Sequence, residues 1–242
     1  MEDFNKSNWA KAEFSQEYRD NADIYIVERS RLLEILKSFY RHFLSEKEQK
    51  SILDLGCGDG IITHGLLKID DSISATLIDG SEDMLNKARE RFKEVKNILY
   101  IHASFQELLE KDILDSKFNF IVSSMAIHHL TMEGKRSLFR KIHSYLKESG
   151  YFVNIDVVLA PTDSLDTWYM ELWQEWMDEK KALLNIEGEP SADIVKRYKD
   201  LEENKPDTLN AQLDAMKEIG FKEVDCFYKY GIFAIFGGKK WG

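Results

Sequence analysis

The most constraining feature of the sequence is the stretch SILDLGCGDG, residues 51–60, where an apolar run leads directly into three glycines at alternate positions. The apolar run is typical of a buried strand, and the amphipathic segment that begins at Ile61 predicts a helix. Glycine permits a tight turn, and it also lets another group approach the backbone closely. Three glycines between a buried strand and a helix favour a bound ligand over a turn alone.

Downstream of this loop, short apolar runs alternate with amphipathic segments as far as residue 156. The predicted strands read SATLID, ILYIHA, FNFIVSS and YFVNID, and the predicted helices cover residues 61–67, 82–92, a short stretch near 106, and 135–146. This alternation is typical of right-handed βαβ units around a parallel sheet. It predicts an α/β fold whose glycine loop lies at the carboxyl edge of the strands, where doubly wound sheets bind ligands.

The segments that flank this pattern are also predicted to be helical. Upstream, apolar residues recur at steps of three and four over residues 24–43, which predicts one helix. Downstream, two amphipathic stretches, residues 165–184 and 192–202, are predicted to form a cap inserted into the fold. The apolar residues of the first stretch are too many for one narrow stripe, so this helix is expected to contact the domain on one side and substrate or further protein on the other. These residues are Trp168, Tyr169, Leu172, Trp173 and Trp176.

The glycine spacing excludes two nucleotide-binding motifs. A dinucleotide loop of the form G-x-G-x-x-G needs glycine where this chain has Ile61, and the Gly-Lys-Ser/Thr of a P-loop is absent. An acidic residue, Asp79, ends the second predicted strand. Its carboxylate can accept hydrogen bonds from both hydroxyls of an adenosine ribose, or it can cap the following helix, a role that Ser81 can fill equally well.

Charge and cysteine content restrict the partners and the compartment. The 33 Lys and Arg residues and 43 Asp and Glu residues give a formal charge of −10 with no basic block, so no nucleic-acid partner is expected. Cys57 and Cys226 lack metal-ligand spacing and form no disulfide framework, which predicts no metal site and fits a reducing cytoplasm. The polar start, MEDFNKSNWAKAEF, and the short apolar run GIFAIFGG predict neither a signal peptide nor a membrane partner.

Four motifs, ILDLGCGDG, LIDGSEDML, FNFIVSSMAIHHL and SGYFVNID, resemble the successive motifs of the class I S-adenosylmethionine-dependent methyltransferases. The tail from residue 208 resembles the closing helix and antiparallel hairpin of the same fold. The resemblance implies a Rossmann-like, doubly wound seven-stranded sheet, mostly parallel with the last strand antiparallel, and a helical cap after strand 5. The expected organisation is an N-terminal helical lid (residues 1–50), a cofactor-binding core (51–160), the cap (161–206) and a closing part of the core (207–242).

The resemblance also implies S-adenosyl-L-methionine as the cofactor. Residues of the glycine loop would surround it, Asp79 would hold the ribose, and later residues would border the adenine and the reacting end. The implied cofactor contacts are Asp54, Gly56, Cys57, Gly58, Gly60, Asp79, Gly80, Met84, Ser104, Phe105 and Ser123. Ser104 stands where the family usually has an acid that binds the adenine amine, and a serine hydroxyl can still accept that hydrogen bond.

The segment SSMAIHHL is expected to open onto the reaction centre. His128 or His129 could remove a proton from a hydroxyl or amine nucleophile near neutral pH, or the rings could satisfy neighbouring backbone groups. Methyl transfer depends mainly on positioning the nucleophile and excluding water, so the cap is expected to decide the acceptor. The expected substrate and lid residues are Tyr18, Met125, Trp173 and Arg197.

These observations together predict a cytoplasmic methyltransferase that acts on a small-molecule acceptor by in-line displacement, with a homodimer left open. Two alternatives stand beside it. A narrower resemblance to the carboxy-S-adenosylmethionine synthases would make Arg197 the partner of an extra carboxylate, unless this arginine lies on a solvated helix face. The chain could also be a non-catalytic partner protein that binds the cofactor, which the intact glycine loop and cap do not favour.

Overall fold

A computed structural model describes residues 4–241 and contains a seven-stranded sheet. The strands are β1 (Ser51–Leu55), β2 (Ser74–Asp79), β3 (Ile98–His102), β4 (Phe118–Ser124), β5 (Leu146–Val157), β6 (Lys222–Tyr230) and β7 (Phe233–Lys239). Their order across the sheet is β3-β2-β1-β4-β5-β7-β6. Strands β1 to β5 pair in parallel, whereas β7 pairs antiparallel with both β5 and β6. The predicted doubly wound, Rossmann-like sheet with an antiparallel last strand is confirmed.

Helices cover both faces of this sheet. They are α1 (Ala12–Tyr25), α2 (Arg29–Phe43), α3 (Ile61–Leu67), α4 (Glu82–Arg91), α5 (Phe105–Glu110), α6 (Met132–Tyr145), α7 (Asp163–Leu184), α8 (Ser191–Asp200) and α9 (Leu209–Ile219). Short 3₁₀ turns lie at Phe4–Lys6, Asn8–Ala10 and Ile127–His129. The core helices and both cap helices therefore form where the apolar periodicity predicts them.

The prediction of one helix over residues 24–43 is wrong, because the chain forms α1 and α2 with a break between them. Ile26 and Val27 in the break are buried, so the apolar periodicity continues through a segment that is not helical. Glu28 then adopts a left-handed conformation with φ of 50° immediately before α2. Because the apolar spacing continues through this break, the sequence pattern does not predict it.

Two apolar layers hold the helices on the sheet. On one face, Leu32 and Leu36 of α2 are buried with strand residues, and on the other face Leu138 and Phe139 of α6 are buried. Each such side chain contributes roughly 1.5–3 kcal/mol when it leaves water. Because both faces are covered, loops at the carboxyl ends of the parallel strands are the place where the fold can open a ligand site.

The cap packs against the N-terminal helix and the last strand. Trp173 of α7 is 6% exposed, and its Nε1 donates a hydrogen bond to the Tyr25 carbonyl oxygen at 2.9 Å. Its ring lies edge-on against Tyr198 and Phe233, with centroids 5.3 and 5.8 Å away. Within residues 4–241, none of the helices is both long and apolar enough to cross a membrane.

Candidate active site

A cavity of about 690 Å³, called here the first cavity, opens beside the loops that follow β1, β2, β3 and β4. Its volume is within the range of sites that enclose a whole cofactor or drug-sized molecule. The predicted cofactor contacts that line it are Gly56, Cys57, Gly58, Asp79, Gly80, Met84, Ser104 and Phe105. The fold therefore brings together loops from four strands that are far apart in the sequence.

Three predicted contacts, Asp54, Gly60 and Ser123, lie outside this lining. Asp54 Oδ2 accepts a hydrogen bond from Thr63 Oγ1 at 2.7 Å, which ties β1 to α3. Ser123 Oγ donates to the Leu55 carbonyl oxygen at 2.7 Å, which ties β4 to the end of β1. These side chains support the loop from beneath, and their direct contact with a cofactor stays a prediction.

The three glycines of the loop have different reasons to be glycine. A Cβ on Gly56 would lie 2.5 Å from Ala126 Cβ, and one on Gly60 would lie 2.5 Å from the Phe92 ring. A Cβ on Gly58 would meet only Met84 Sδ, at 3.9 Å. Packing within the chain thus explains the first and third glycines, and only the second leaves its open side to the first cavity.

The variant Gly58→Ala tests this difference. The φ of 54° at this position costs an alanine about 1–2 kcal/mol, so we expect a folded protein with a slightly lower melting temperature. The added methyl group enters the first cavity, and we expect the Kd for S-adenosylmethionine in calorimetry to rise at least about tenfold, a change of about 1.4 kcal/mol. Gly188→Ala is the matched control, because a Cβ there has no neighbour within 4 Å. Equal affinities in the two variants would contradict the role of Gly58.

Asp79 lies at the carboxyl end of β2 and lines the first cavity. Its Oδ2 accepts a hydrogen bond from Gly58 N and its Oδ1 accepts one from Ser81 N, both at 2.8 Å. Ser81 caps α4 through its own hydroxyl, which accepts from Met84 N, so Asp79 is not needed as the cap. A carboxylate has about four acceptor positions, and two remain here for a pair of hydroxyl groups such as those of a ribose. These free acceptor positions therefore fit the adenosine part of the expected cofactor.

Ser104 has a local structural role as well as a place in the lining. It caps α5, where its Oγ accepts from Glu107 N at 3.2 Å, and its own N–H donates to Glu107 Oε2 at 3.0 Å. The Oγ also donates to Glu107 Oε2, at 3.1 Å. This reciprocal capping box reduces the capacity of the hydroxyl to bind an adenine amine. The spacing of Ser104 and Glu107 is itself a sequence signal for a capping box. Gln106, which also lines the cavity, was missed by the sequence analysis.

The buried Asp54 carboxyl makes stability depend on pH. Burial raises its pKa to about 7, against the lowering effect of the hydrogen bonds from Thr63. Between its unfolded pKa, near 4, and its folded pKa the native state binds the proton more strongly, so stability falls as pH rises through this window. In urea denaturation, we expect the free energy of unfolding of the wild type to fall by a few kcal/mol between pH 4 and 8. We expect Asp54→Asn to reduce this fall. The exposed Asp71→Asn is the control, and equal slopes in both variants would contradict the expectation.

A smaller cavity of about 120 Å³, called here the second cavity, adjoins the first. It is enclosed by parts of α1, α7 and α8, by the loops after β4 and α8, and by the ends of β5 and β7. All the predicted substrate and lid residues line it, namely Tyr18, Met125, Trp173 and Arg197. The residues that line both cavities are Trp9, Tyr18, Ile26, Met125 and His129. The tertiary structure thus joins the N-terminal helix and the cap around a chamber next to the expected cofactor site.

The two histidines of the SSMAIHHL segment have different surroundings. His128 Nδ1 lies 2.6 Å from Asp156 Oδ1, and its backbone N–H donates to Asp156 Oδ2 at 3.0 Å. Because a carboxylate oxygen accepts in such a contact, Nδ1 is the ring nitrogen that donates to Asp156, which leaves Nε2 as the ring's acceptor nitrogen. Among the described residues this Nε2 has no hydrogen-bond partner, and the ring lines the second cavity. This is the arrangement of a general base that is oriented by an acid.

His129 corresponds to the other alternative, in which the ring satisfies a backbone group. Its Nδ1 lies 3.1 Å from the Glu203 carbonyl oxygen, which can only accept a hydrogen bond. Burial and the neighbouring His128 hold the pKa of His129 well below its usual range, so the ring is neutral at physiological pH. Its Nε2 is sealed from solvent and has no hydrogen-bond partner within residues 4–241.

Arg197 is 34% exposed, and its guanidinium is paired with two carboxylates. Its Nη1 donates to Glu17 Oε1 at 2.8 Å and its Nη2 donates to Glu189 Oε2 at 2.7 Å. The second nitrogen also lies 3.3 Å from the Tyr25 hydroxyl. The guanidinium therefore joins α8 to α1 and to the loop between α7 and α8, while it lines the second cavity.

Sequence reasoning predicted an N-terminal lid but named neither Phe4 nor Glu203, both of which line the first cavity. Glu203, in the loop after α8, lines this cavity and accepts a hydrogen bond from Asn8 N at 2.8 Å. A Cβ on Gly80 would lie 2.8 Å from the Phe4 ring, so the N-terminal segment rests directly on this glycine. Glu203 belongs to the charged run DLEENKPD, which is typical of a solvated surface and gives no signal of a ligand site.

Comparison with known proteins follows this geometry. Residues 52–150 match a family model described as a methyltransferase domain. A carboxy-S-adenosyl-L-methionine synthase of Nautilia profundicola is 25% identical over 221 residues, which cover 90% of this chain and 84% of that protein. A phosphoethanolamine N-methyltransferase of Plasmodium falciparum is 29% identical over 150 residues, which cover 61% of this chain and 52% of that protein.

Solved structures show the same fold. An O-methyltransferase family protein from Burkholderia thailandensis superposes with a TM-score of 0.65 at 10% identity, over 98% of this chain and 63% of that one. A phosphoethanolamine N-methyltransferase 2 from Haemonchus contortus, in complex with S-adenosyl-L-methionine, superposes with a TM-score of 0.61 at 18% identity, over 92% of this chain. The chain spans 44% of that second structure and about half of the Plasmodium protein.

Proposed function

The chain belongs to the class I S-adenosylmethionine-dependent methyltransferases, and from this premise we propose that it transfers a methyl group to a small-molecule acceptor. The observation that carries the proposal is the pair of adjoining cavities. The first is lined by the predicted cofactor residues, and the second is enclosed by the cap and by α1. A chamber of about 120 Å³ behind a cap suits a compact acceptor and leaves little room for a macromolecule.

The net charge supports the same choice of acceptor. A formal charge of −10 repels a phosphate backbone, which normally binds to clustered Lys and Arg side chains. The cap segment WQEWMDE adds acidic residues beside its aromatic rings. The proposal is therefore a small-molecule methyltransferase without a nucleic-acid partner.

The residues of the chain have distinct roles in the proposed reaction. Asp79 holds a diol on its two free acceptor positions, and Gly58 leaves the backbone open beside it. S-adenosylmethionine supplies, when bound, a methyl group on a positively charged sulfur that needs no further activation. Tyr18 and Met125, which line both cavities, exclude water and orient the acceptor. His128 takes the acceptor's proton on Nε2, and Asp156 stabilises the resulting imidazolium.

A second candidate has support from the comparisons, because several curated relatives are carboxy-S-adenosyl-L-methionine synthases. An enzyme that adds a carboxylate to the cofactor needs a cation to pair with that group. Arg197 is the predicted partner, but its guanidinium is already held by Glu17 and Glu189. This candidate would require at least one of these ion pairs to open, so we place it second.

The mass of the reaction products separates the two candidates. The purified protein is incubated with S-adenosylmethionine and a panel of small acceptors, and both the acceptors and the cofactor are analysed by mass spectrometry. We expect a methylated acceptor and S-adenosylhomocysteine. A cofactor that has gained a carboxylate would establish the second candidate instead. Methylation of bulk tRNA as fast as the best small acceptor would contradict the small-molecule assignment.

A further inference from the structure

The size of the second cavity limits the part of the acceptor that enters it. An apolar cavity of about 150 Å³ in a protein holds one benzene molecule. The second cavity, at about 120 Å³, is similar and is continuous in its lining with the first cavity. Aromatic rings form much of its wall, among them Phe14, Trp173 and Phe233. These dimensions and this lining suit a single planar ring.

The charges around the second cavity are already paired. Within the described chain its lining contains two residues with a permanent charge, Glu17 and Arg197, and they lie 2.8 Å from one another. Arg197 is also paired with Glu189 at 2.7 Å. Among the described residues that line the second cavity, a carboxylate or phosphate on the acceptor would find no unpaired cation, and an ammonium group would compete with Arg197 for its partner. Burial of an unpaired charge in such a site is costly.

Uncharged polar groups remain available in the same lining. The hydroxyls of Tyr18 and Tyr198 and the Nε2 of His128 make no hydrogen bond within residues 4–241. Burial raises the pKa of Tyr18 to about 12 and raises that of Tyr198 as well, so both phenols stay protonated and can donate. His128 Nε2 offers a lone pair, because Asp156 holds the proton on Nδ1. The cavity therefore presents two donors and one basic acceptor on apolar walls.

We propose that the methyl acceptor is an uncharged, single-ring molecule with a hydroxyl group, that its ring occupies the second cavity, and that it is methylated on oxygen. The hydroxyl donates its hydrogen bond to His128 Nε2, and Tyr198 is a specificity-determining residue that donates to a polar group of the ring molecule. This inference rests on the proposed function and names the substrate class of the same site.

The reaction balances on these groups. The acceptor oxygen forms a bond to the methyl carbon, while the bond between that carbon and sulfur breaks and its electron pair stays on the sulfur. The hydroxyl proton passes to His128 Nε2, which gives an imidazolium next to the Asp156 carboxylate. The products are a methyl ether and S-adenosylhomocysteine, and the imidazolium returns its proton to water.

The test compares three rings of equal size and different charge, namely phenol, benzoate and benzylamine. Binding of each ring to the complex of the protein with S-adenosylhomocysteine is measured by calorimetry, and methylation is measured with S-adenosylmethionine by mass spectrometry. We expect phenol to bind at least about tenfold more tightly than either charged ring, since these must bury an unpaired charge. We expect its methylation product to be the methyl ether.

Matched variants test whether the ring occupies the second cavity. Tyr198→Phe is expected to weaken phenol binding by about two- to tenfold, the cost of one neutral hydrogen bond, without a change in the affinity for S-adenosylhomocysteine. Tyr228→Phe is the control, because Tyr228 is partly buried in β6 and lies outside both cavities. Equal phenol affinities in the two variants would overturn the placement of the ring.

The outcomes distinguish this inference from the proposed function. Binding of S-adenosylhomocysteine together with preferred binding or methylation of benzoate or benzylamine would overturn the substrate class and leave methyl transfer standing. Methylation of a ring carbon would do the same. Failure to bind S-adenosylhomocysteine, or failure to methylate any member of a broad acceptor panel, would contradict the proposed function itself.

Discussion

Replacement of His128 by glutamine is expected to lower kcat by roughly 10²–10⁴-fold, the usual contribution of a general base. Glutamine is neutral and similar in length, but it cannot take a proton from the acceptor. The expected loss follows from the position of the ring, which lines the second cavity. Asp156 Oδ1 lies 2.6 Å from its Nδ1, and within residues 4–241 its Nε2 has no hydrogen-bond partner. The Kd for S-adenosylmethionine should stay within about twofold, because His128 does not line the first cavity.

Two further substitutions make this result specific. His42→Gln is the control for an exposed histidine, and we expect it to leave kcat unchanged. His129→Gln should alter kcat less than His128→Gln, since the His129 ring is held by the Glu203 carbonyl and its Nε2 is sealed. The opposite order, with the larger loss of kcat in a folded His129→Gln protein, would assign the base to His129.

Replacement of Asp79 by alanine is expected to raise the Kd for S-adenosylmethionine by about 10²-fold or more. Two hydrogen bonds from hydroxyls to a carboxylate contribute roughly 1.5–3 kcal/mol each, and alanine removes both. The same substitution also removes the acceptors of Gly58 N and Ser81 N, which hold the glycine loop next to the start of α4. Calorimetry measures the change in affinity, and thermal unfolding measures the structural cost separately.

Asp79→Asn separates these two effects. The amide keeps one acceptor oxygen and loses the charge, but its NH2 group faces one of the two backbone N–H donors. We therefore expect both the stability and the Kd to lie between those of wild type and Asp79→Ala. Asp71→Ala, at an exposed position that follows α3, is the control and should bind normally. Wild-type affinity in a folded Asp79→Ala protein would exclude this carboxylate from the cofactor site.

The sequence predicted the central sheet and the position of the ligand site from local patterns. Alternating apolar runs and amphipathic segments identified β1 to β5 with their helices, because burial on both faces of a parallel sheet requires that alternation. The glycine run and Asp79 then marked the edge of the sheet where loops converge. The apolar pattern did not predict the break between α1 and α2, because Ile26 and Val27 in that break are buried and continue the pattern.

The glycine loop shows why residue type alone could not give residue roles. The sequence showed that side chains are absent at three positions, but the groups that exclude them come from distant elements. Ala126 follows β4 and Phe92 follows α4, and both reach the loop only after the sheet has formed. Gly58 is thus the position of the loop that stays open to a ligand. This is a result of packing between segments far apart in the chain.

By itself the sequence determined the fold class, the cofactor edge and the residue types that a methyl transfer site needs, because each of these follows from periodicities and motifs within short segments. The tertiary structure alone decided the chemistry of the second cavity. It gave the two histidines different partners, Asp156 for His128 and the Glu203 carbonyl for His129. It also paired Arg197 with Glu17 and Glu189. These partners lie up to 180 residues away in the chain, so their contacts depend on how helices and loops meet in space and leave no local pattern in the sequence.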